Sequence, residues 1–249
     1  MKNKKVLIAG ESWMSFTTHV KGFDTFYTSV YEEGIKWLRA ALEEGGYDVT
    51  FIPNHLAAEE FPFKLEELQK FNAVILSDIG ANTLLLSKRT FIEGQRTPNR
   101  LKLIEEYVAN GGGFCMVGGY LSFTGIDAKA NFKSTAIAEI LPVDMLDKDD
   151  RIEACEGILP VIKTEHEIFN GLPTEWPHFL GYNQTTQNAE GEVLATIGDD
   201  PFVAVREYQK GRTAVFTSDC SPHWAPKEFV EWSFYNKFWI NLVNWIAKA

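Results

Sequence analysis

With 249 residues, 45% hydrophobic and 23% charged, the chain has room for one large domain or two small ones. Its net charge of −10 comes from acids spread along the chain with no basic patch, so neither nucleic acid nor an anionic membrane surface is expected as a partner. The three cysteines, Cys115, Cys155 and Cys220, show neither CxxC nor zinc spacing, as suits a reducing compartment.

The run Val6-Leu7-Ile8-Ala9 is continuously apolar and reads as a central strand buried on both faces. It is too short for a signal-peptide core, and no stretch approaches the roughly 20 apolar residues of a membrane helix, so a cytoplasmic location is expected. After Gly10-Glu11-Ser12-Trp13 comes a long aromatic connection holding Phe16, His19, Phe23, Phe26 and Tyr27, read as a loop anchored to the body by its rings. Thr28 or Ser29 caps a predicted helix through Glu44, stopped by Gly45-Gly46. Residues 47–52 and 73–78 read as strands, with a short helix around Leu65 and Leu68 between them. Residues 83–97 read as irregular, and Asn99–Asn110 as an amphipathic helix. Gly111-Gly112-Gly113 then leads into the strand Phe114–Val117, which ends in Gly118-Gly119-Tyr120.

The pattern β-α-β-α-β-α-β with short apolar strands predicts a parallel, doubly wound sheet. Beyond residue 125 the character changes. A short helix ends at Ile140, strand-like pieces lie near 158–162, and a strand pair covers 192–196 and 202–208. A last strand at 211–219 precedes a helix running from Pro226 to about residue 247. In that helix Trp232 and Trp239 are either core or cover for a subunit contact, so a homo-oligomer is one expectation.

Four pieces of sequence together resemble the class I glutamine amidotransferase-like superfamily, in a branch related to ThuA-like proteins. They are Gly111-Gly112-Gly113-Phe114 before a strand ending in Gly-Gly, His166-Glu167-Ile168-Phe169-Asn170-Gly171-Leu172-Pro173, Gly211-Arg212 opening a late strand, and Asp219-Cys220-Ser221-Pro222-His223-Trp224 before the last helix. The resemblance implies one α/β domain over residues 1–249. Its fold would be a flavodoxin-like three-layer sandwich with a mostly parallel central sheet and additional β strands in the C-terminal half. It further implies a small polar, sugar-like ligand.

One departure bears on chemistry. Members with glutaminase activity carry a cysteine on a sharp strand-to-helix turn, G-x-C-x-G, where helix N–H groups stabilise thiolate and oxyanion. Here the turn falls at Gly118-Gly119-Tyr120, and Cys115 sits about 10–13 Å upstream at strand rise. Cys115 is therefore read as a small buried core residue, and Cys-dependent glutaminase activity is not expected.

The remaining candidates gather at predicted carboxyl ends of strands, where open α/β sheets bind ligands. His223 and Asp219 are the catalytic candidates, His223 being either a general base or a ring that packs its loop. Glu11, Ser12, Asp78, Gly80, Gly118, Gly119, Tyr120, Ser122 and Trp224 are the ligand-binding candidates. Ser122 could be a nucleophile only with a base in reach. The scattered histidines form no HxH or HExxH pair, and the glycine-rich segment lacks the G-x-x-x-x-G-K-[ST] order, so no metal and no cofactor are expected.

Overall fold

The computed structural model describes residues 4–248. In chain order its strands are β1 (Lys4–Gly10), β2 (Ser12–Lys21), β3 (Asp24–Glu33), β4 (Tyr47–Ile52), β5 (Ala73–Ser77), β6 (Gly113–Val117), β7 (Val143–Met145), β8 (Arg151–Ile158), β9 (Val161–Ile162), β10 (Phe179–Asn183), β11 (Thr185–Gln187), β12 (Glu192–Ile197), β13 (Asp200–Tyr208) and β14 (Gly211–Phe216). The helices are α1 (Lys36–Glu44), α2 (Asn54–Glu60), α3 (Leu65–Leu68), α4 (Ala81–Leu85), α5 (Lys88–Phe91), α6 (Arg100–Ala109), α7 (Ala136–Ile140), α8 (Lys227–Val230) and α9 (Tyr235–Ile246).

Eight strands form the central sheet in the order β4-β1-β5-β6-β14-β13-β12-β9. The first five run parallel, and β13, β12 and β9 continue the sheet antiparallel. Counting only the parallel strands gives the order 2-1-3-4-5, the flavodoxin-like α/β sandwich. Side chains of alternate residues leave opposite faces of a strand. Val6, Ile8, Ile75, Cys115 and Val117 accordingly enter one core with α1 and α9, while Leu7, Ala9, Val74, Leu76, Phe114 and Met116 enter the other with α2, α3 and α6. Central strands of such a sheet are wrapped on both faces, and this is why they read as unbroken apolar runs. Among the described residues no helix is long and apolar enough to cross a membrane.

Four expectations are corrected. The connection at 12–33 is a hairpin of two ten-residue strands, and its aromatic residues face solvent instead of anchoring a loop. Alternation in Met14-Ser15-Phe16-Thr17-Thr18-His19-Val20 and the turn at Gly22 (φ 65°) suit a strand pair. Helix α1 consequently begins at Lys36, because Ser29–Glu33 are committed to β3. Residues 83–97 include the end of α4 and all of α5, and the stretch after Pro226 holds two helices instead of one. Of the two tryptophans, Trp239 is fully buried in the core and Trp232, partly buried, packs against it.

Helix α6 starts on Asn99, whose side chain accepts from the N–H groups of Leu101 (3.0 Å) and Lys102 (3.2 Å). Its first residue, Arg100, is buried and donates to the carbonyls of Leu84 (2.5 Å), Ala57 (3.1 Å), Phe61 (3.3 Å) and Thr83 (3.3 Å). Burial lowers the guanidinium pKa to about 10, against the opposing pull of Glu59. The cation thus ties α2, α4 and α6 together through carbonyl oxygens. Arg100→Met leaves those carbonyls without their donors and is expected to lower stability by about 3 kcal/mol, read as a shift in the urea midpoint.

Candidate functional site

In a sheet ordered 2-1-3-4-5 the chain leaves β1 towards β4 on one side and returns to β5 on the other, opening a crevice at the carboxyl ends between β1 and β5. Glu11 follows β1 and Asp78 follows β5, and both are non-glycine residues at positive φ, 45° and 46°. Such left-handed backbone costs roughly 1–3 kcal/mol per residue and persists where the surroundings over-determine it. The surroundings here are specific. The Glu11 N–H donates to the Ser77 carbonyl (2.7 Å), and the Asp78 N–H donates to Ser122 Oγ (3.1 Å).

The Glu11 carboxyl is buried and joins three strand ends. Ser77 Oγ donates to its Oε2 (2.5 Å) and Ser221 Oγ to its Oε1 (2.6 Å). Burial, reinforced by the charges of Asp219 and Asp78, raises its pKa from 4.5 to about 8. Asp219 and Asp78 are raised in turn, mainly by burial, and Asp219 also by Asp78. At neutral pH Glu11 therefore holds a proton that an exposed carboxyl would release.

His223 stands at the solvent side of the cluster, its side chain 40% exposed, with Nδ1 3.4 Å from Asp219 Oδ2. Burial holds the imidazole below its ordinary pKa despite the opposing charges of Glu153, Asp78 and Glu11. Asp219 is pushed up and His223 down, each away from its charged form, and at 3.4 Å the contact is long for a hydrogen bond. Tyr120 packs edge-on against His223 at 4.4 Å between ring centres, and its hydroxyl donates to Glu153 (3.0 Å).

The turn after β6 is closed by its own neighbours. The Gly118 N–H donates to the carbonyls of Phe216 (2.8 Å) and Ser218 (3.0 Å), the Gly119 N–H to Asn183 Oδ1 (2.9 Å), and the Leu121 N–H to Asp78 Oδ1 (2.6 Å). Gly119 has φ 144°, and a Cβ there would stand 2.9 Å from the Asp78 Cβ, so only glycine fits. Asn183 is fixed by Asp150, which accepts from its Nδ2 (2.8 Å) and from the N–H groups of Thr124 (2.8 Å) and Gly125 (3.0 Å).

Glu11, Asp78, Gly118, Gly119, Tyr120, Asp219 and His223 thus converge. The polar groups of the other candidates are bonded or packed within the protein. Ser12 Oγ accepts from the Asn54 N–H (2.8 Å), and Gly80 packs beside the backbone of Ala130. Ser122 Oγ donates to the Val117 carbonyl (2.6 Å), so its proton is committed. Trp224 is buried beside the site, stacked on His223 at 5.2 Å between ring centres and edge-on to Tyr120 at 5.5 Å, with its indole N–H on Glu153 (3.0 Å). Cys115 lies inside β6 in the core with its thiol pKa pushed up by burial.

Ser77, Cys220, Ser221, Asn183 and Asp150 escaped the sequence reading. The first three sit at the ends of strands already recognised. Asn183 and Asp150 come from the irregular middle of the chain, where no periodicity marks them. Glu11, Asp219 and Cys220 each bring one oxygen or sulfur atom to within 4.8 Å of the others. A metal ion needs deprotonated donors, whereas burial pushes all three towards their protonated forms. A cavity of about 870 Å³ lies apart from these groups, lined by residues between Leu159 and Trp176.

The raised pKa of Glu11 fixes a pH dependence. Between about pH 4.5 and pH 8 the folded chain keeps a proton that the unfolded chain has released. Stability from this group is therefore greatest below pH 4.5 and falls as pH rises, by at most about 1.4 kcal/mol per pH unit. Glu11→Gln should flatten this slope, and urea midpoints at pH 5.5, 7 and 8.5 for both chains would show it.

Comparison with known proteins agrees with this geometry. The profile of the family described as "Putative glutamine amidotransferase" matches residues 5–248. The cytoplasmic protein STM3548 from Salmonella typhimurium is 48% identical, with a TM-score of 0.94 over 97% of this chain and 98% of its own. The cytoplasmic protein STM1381 from Salmonella typhimurium LT2 is 47% identical, with a TM-score of 0.94 over 97% and 99%. A ThuA-like protein from Parabacteroides merdae ATCC 43184 shares the fold at 14% identity and a TM-score of 0.56, over 98% of this chain and 89% of its own. No curated protein matches the chain. With nearly its whole length matched by that profile, the chain belongs to the glutamine amidotransferase-like family.

Proposed function

We propose that this chain is a cytoplasmic protein that binds a small, neutral, hydroxyl-rich molecule over the Glu11–Asp78–Asp219 cluster, without Cys-dependent glutamine hydrolysis. One observation carries the reading: the backbone donors of the rim are already spent, and carboxyl groups line it. The N–H groups of Gly118, Gly119 and Leu121, which in a working elbow would face a developing oxyanion, are spent on protein acceptors. Carboxyl oxygens of Asp78 and Asp219 remain beside the exposed imidazole and the Tyr120 ring. A sugar-like polyol can exchange hydroxyl hydrogen bonds with carboxyl groups and lay an apolar face on an aromatic ring, whereas an anion finds the N–H groups of the turn already spent. The ThuA-like neighbour supports the sugar class by analogy alone.

Calorimetric titration with neutral monosaccharides and polyols, set against phosphate and dicarboxylates, tests the ligand class. The neutral series should bind and Asp78→Asn should weaken it about tenfold, a loss of about 1.4 kcal/mol. Preferential binding of the anions would overturn the reading. For the negative half, purified protein should release no ammonia from glutamine above background. Robust release abolished by Cys115→Ala or Cys220→Ala would sink it.

A second reading, hydrolysis by a water that His223 activates, is favoured by the 3.4 Å approach of Asp219 to Nδ1. The lowered imidazole pKa keeps the base form at neutral pH. Turnover of a glycoside or ester substrate should then fall at least about 100-fold in His223→Asn. Unchanged turnover in that variant would remove His223 from the chemistry.

A further inference from the structure

The hairpin of β2 and β3 pairs only with itself, in register from Ser12↔Glu33 to Lys21↔Asp24. Ten residues per strand give an arm roughly 34 Å long. An isolated two-stranded ribbon is marginal in water and needs a further layer for stability. Directly opposed residues share a face, so Met14, Phe16 and Val20 line up with Tyr31 and Tyr27 on one side of the arm. Phe16 is 79%, Tyr27 76% and Val20 68% exposed. The opposite side is tied by its own cross-strand contacts, with Trp13 Nε1 donating to Glu32 (3.0 Å) and His19 stacked on Phe26 at 4.5 Å.

We infer that this Met14–Phe16–Val20–Tyr27–Tyr31 face is the surface on which a second copy of the chain packs, arm against arm. Three observations select that occupant. The face offers roughly 600 Å² of aromatic and aliphatic side chain, at the upper end of what a monomer leaves open. Two such faces joined bury roughly 1,200 Å², the lower limit of specific protein interfaces. Electrostatics then discriminates. The chain carries −10, so two copies repel over most of their surfaces, but the outer part of the arm, residues 13–31, holds one lysine and one aspartate, with Glu32 and Glu33 at its base. Lys21 and Asp24 flank the tip, so pushing the arm into a bilayer would carry two charges into hydrocarbon. A two-fold axis through the arms would pair like with like and close the assembly.

Sedimentation equilibrium on the full chain from ~1 to ~100 μM tests the inference. Wild type should show at least twice the 28.2 kDa chain mass at the upper concentration, with association strengthened by added salt as repulsion is screened. Phe16→Asp and Tyr27→Asp, both at exposed positions, should each weaken it at least tenfold. A wild-type mass of one chain throughout, or variants with unchanged association, overturns it. So does binding of a monomeric wild type to neutral vesicles that Phe16→Asp abolishes, which would make a lipid surface the occupant. A readout free of variants is amide exchange in wild type. Exchange across residues 14–31 should slow as concentration rises, and concentration-independent exchange counts equally against the inference.

Discussion

One buried carboxyl organises the rim of this protein. Glu11 receives hydroxyl donors from Ser77 and Ser221, and so links the ends of β1 and β5 with the loop after β14. Burial alone makes an ionised carboxylate expensive, and the nearby charges of Asp78 and Asp219 add to that penalty. The arrangement is tolerable because the proton stays. A group retained as a neutral acid can accept from two serines without demanding a counter-ion, and among the described residues no lysine or arginine forms an ion pair with any of the three acids. The positive φ values of Glu11 and Asp78 follow from the same geometry, since each chain must turn sharply at its strand end to bring its acid over the crevice.

The same constraint makes the turn after β6 a tightly bonded joint. Gly119 is pressed against the Asp78 side chain, and Asn183 holds both its N–H and its carbonyl. Leu121 donates to Asp78 as well. Donors that could have stabilised a negative charge on a ligand are used to place an acid. Asp219, the partly exposed His223 and the Tyr120 ring stand beside that acid.

Much of the scaffold was legible because central parallel strands have no polar face. Val6–Ala9, Ala73–Ser77 and Phe114–Val117 cannot be read as anything exposed, and Glu11 and Asp78, just after the first two, fall where strand ends must gather. The placement of Cys115 followed from locating its strand. The arm was not legible for the opposite reason. Its alternation of Met14, Phe16 and Val20 with polar residues is a strand signal, but isolated β-ribbons are uncommon and no third strand in the sequence announces a partner. Asn183 and Asp150 were invisible because their value lies in contacts across 64 and 33 residues, which no local spacing encodes. Trp239 misled as surplus, since a fully aromatic core layer around Phe216 and Phe238 leaves room for it that composition does not advertise.

The sheet order also bears on how the chain is made. Strand β6 lies at the middle of the sheet, yet the neighbour that closes its second edge, β14, is synthesised about a hundred residues later. Until then a growing chain on the ribosome presents an open, wholly apolar strand edge, a surface that invites mispairing and chaperone capture. The bond from Ser221 to Glu11 spans 210 residues, so the acid waits through nearly the entire translation before its last donor emerges. Loss of even a few C-terminal elements therefore removes more than a helix: it leaves the first strand's acid without one of its two hydroxyl partners and the central sheet without its middle seam.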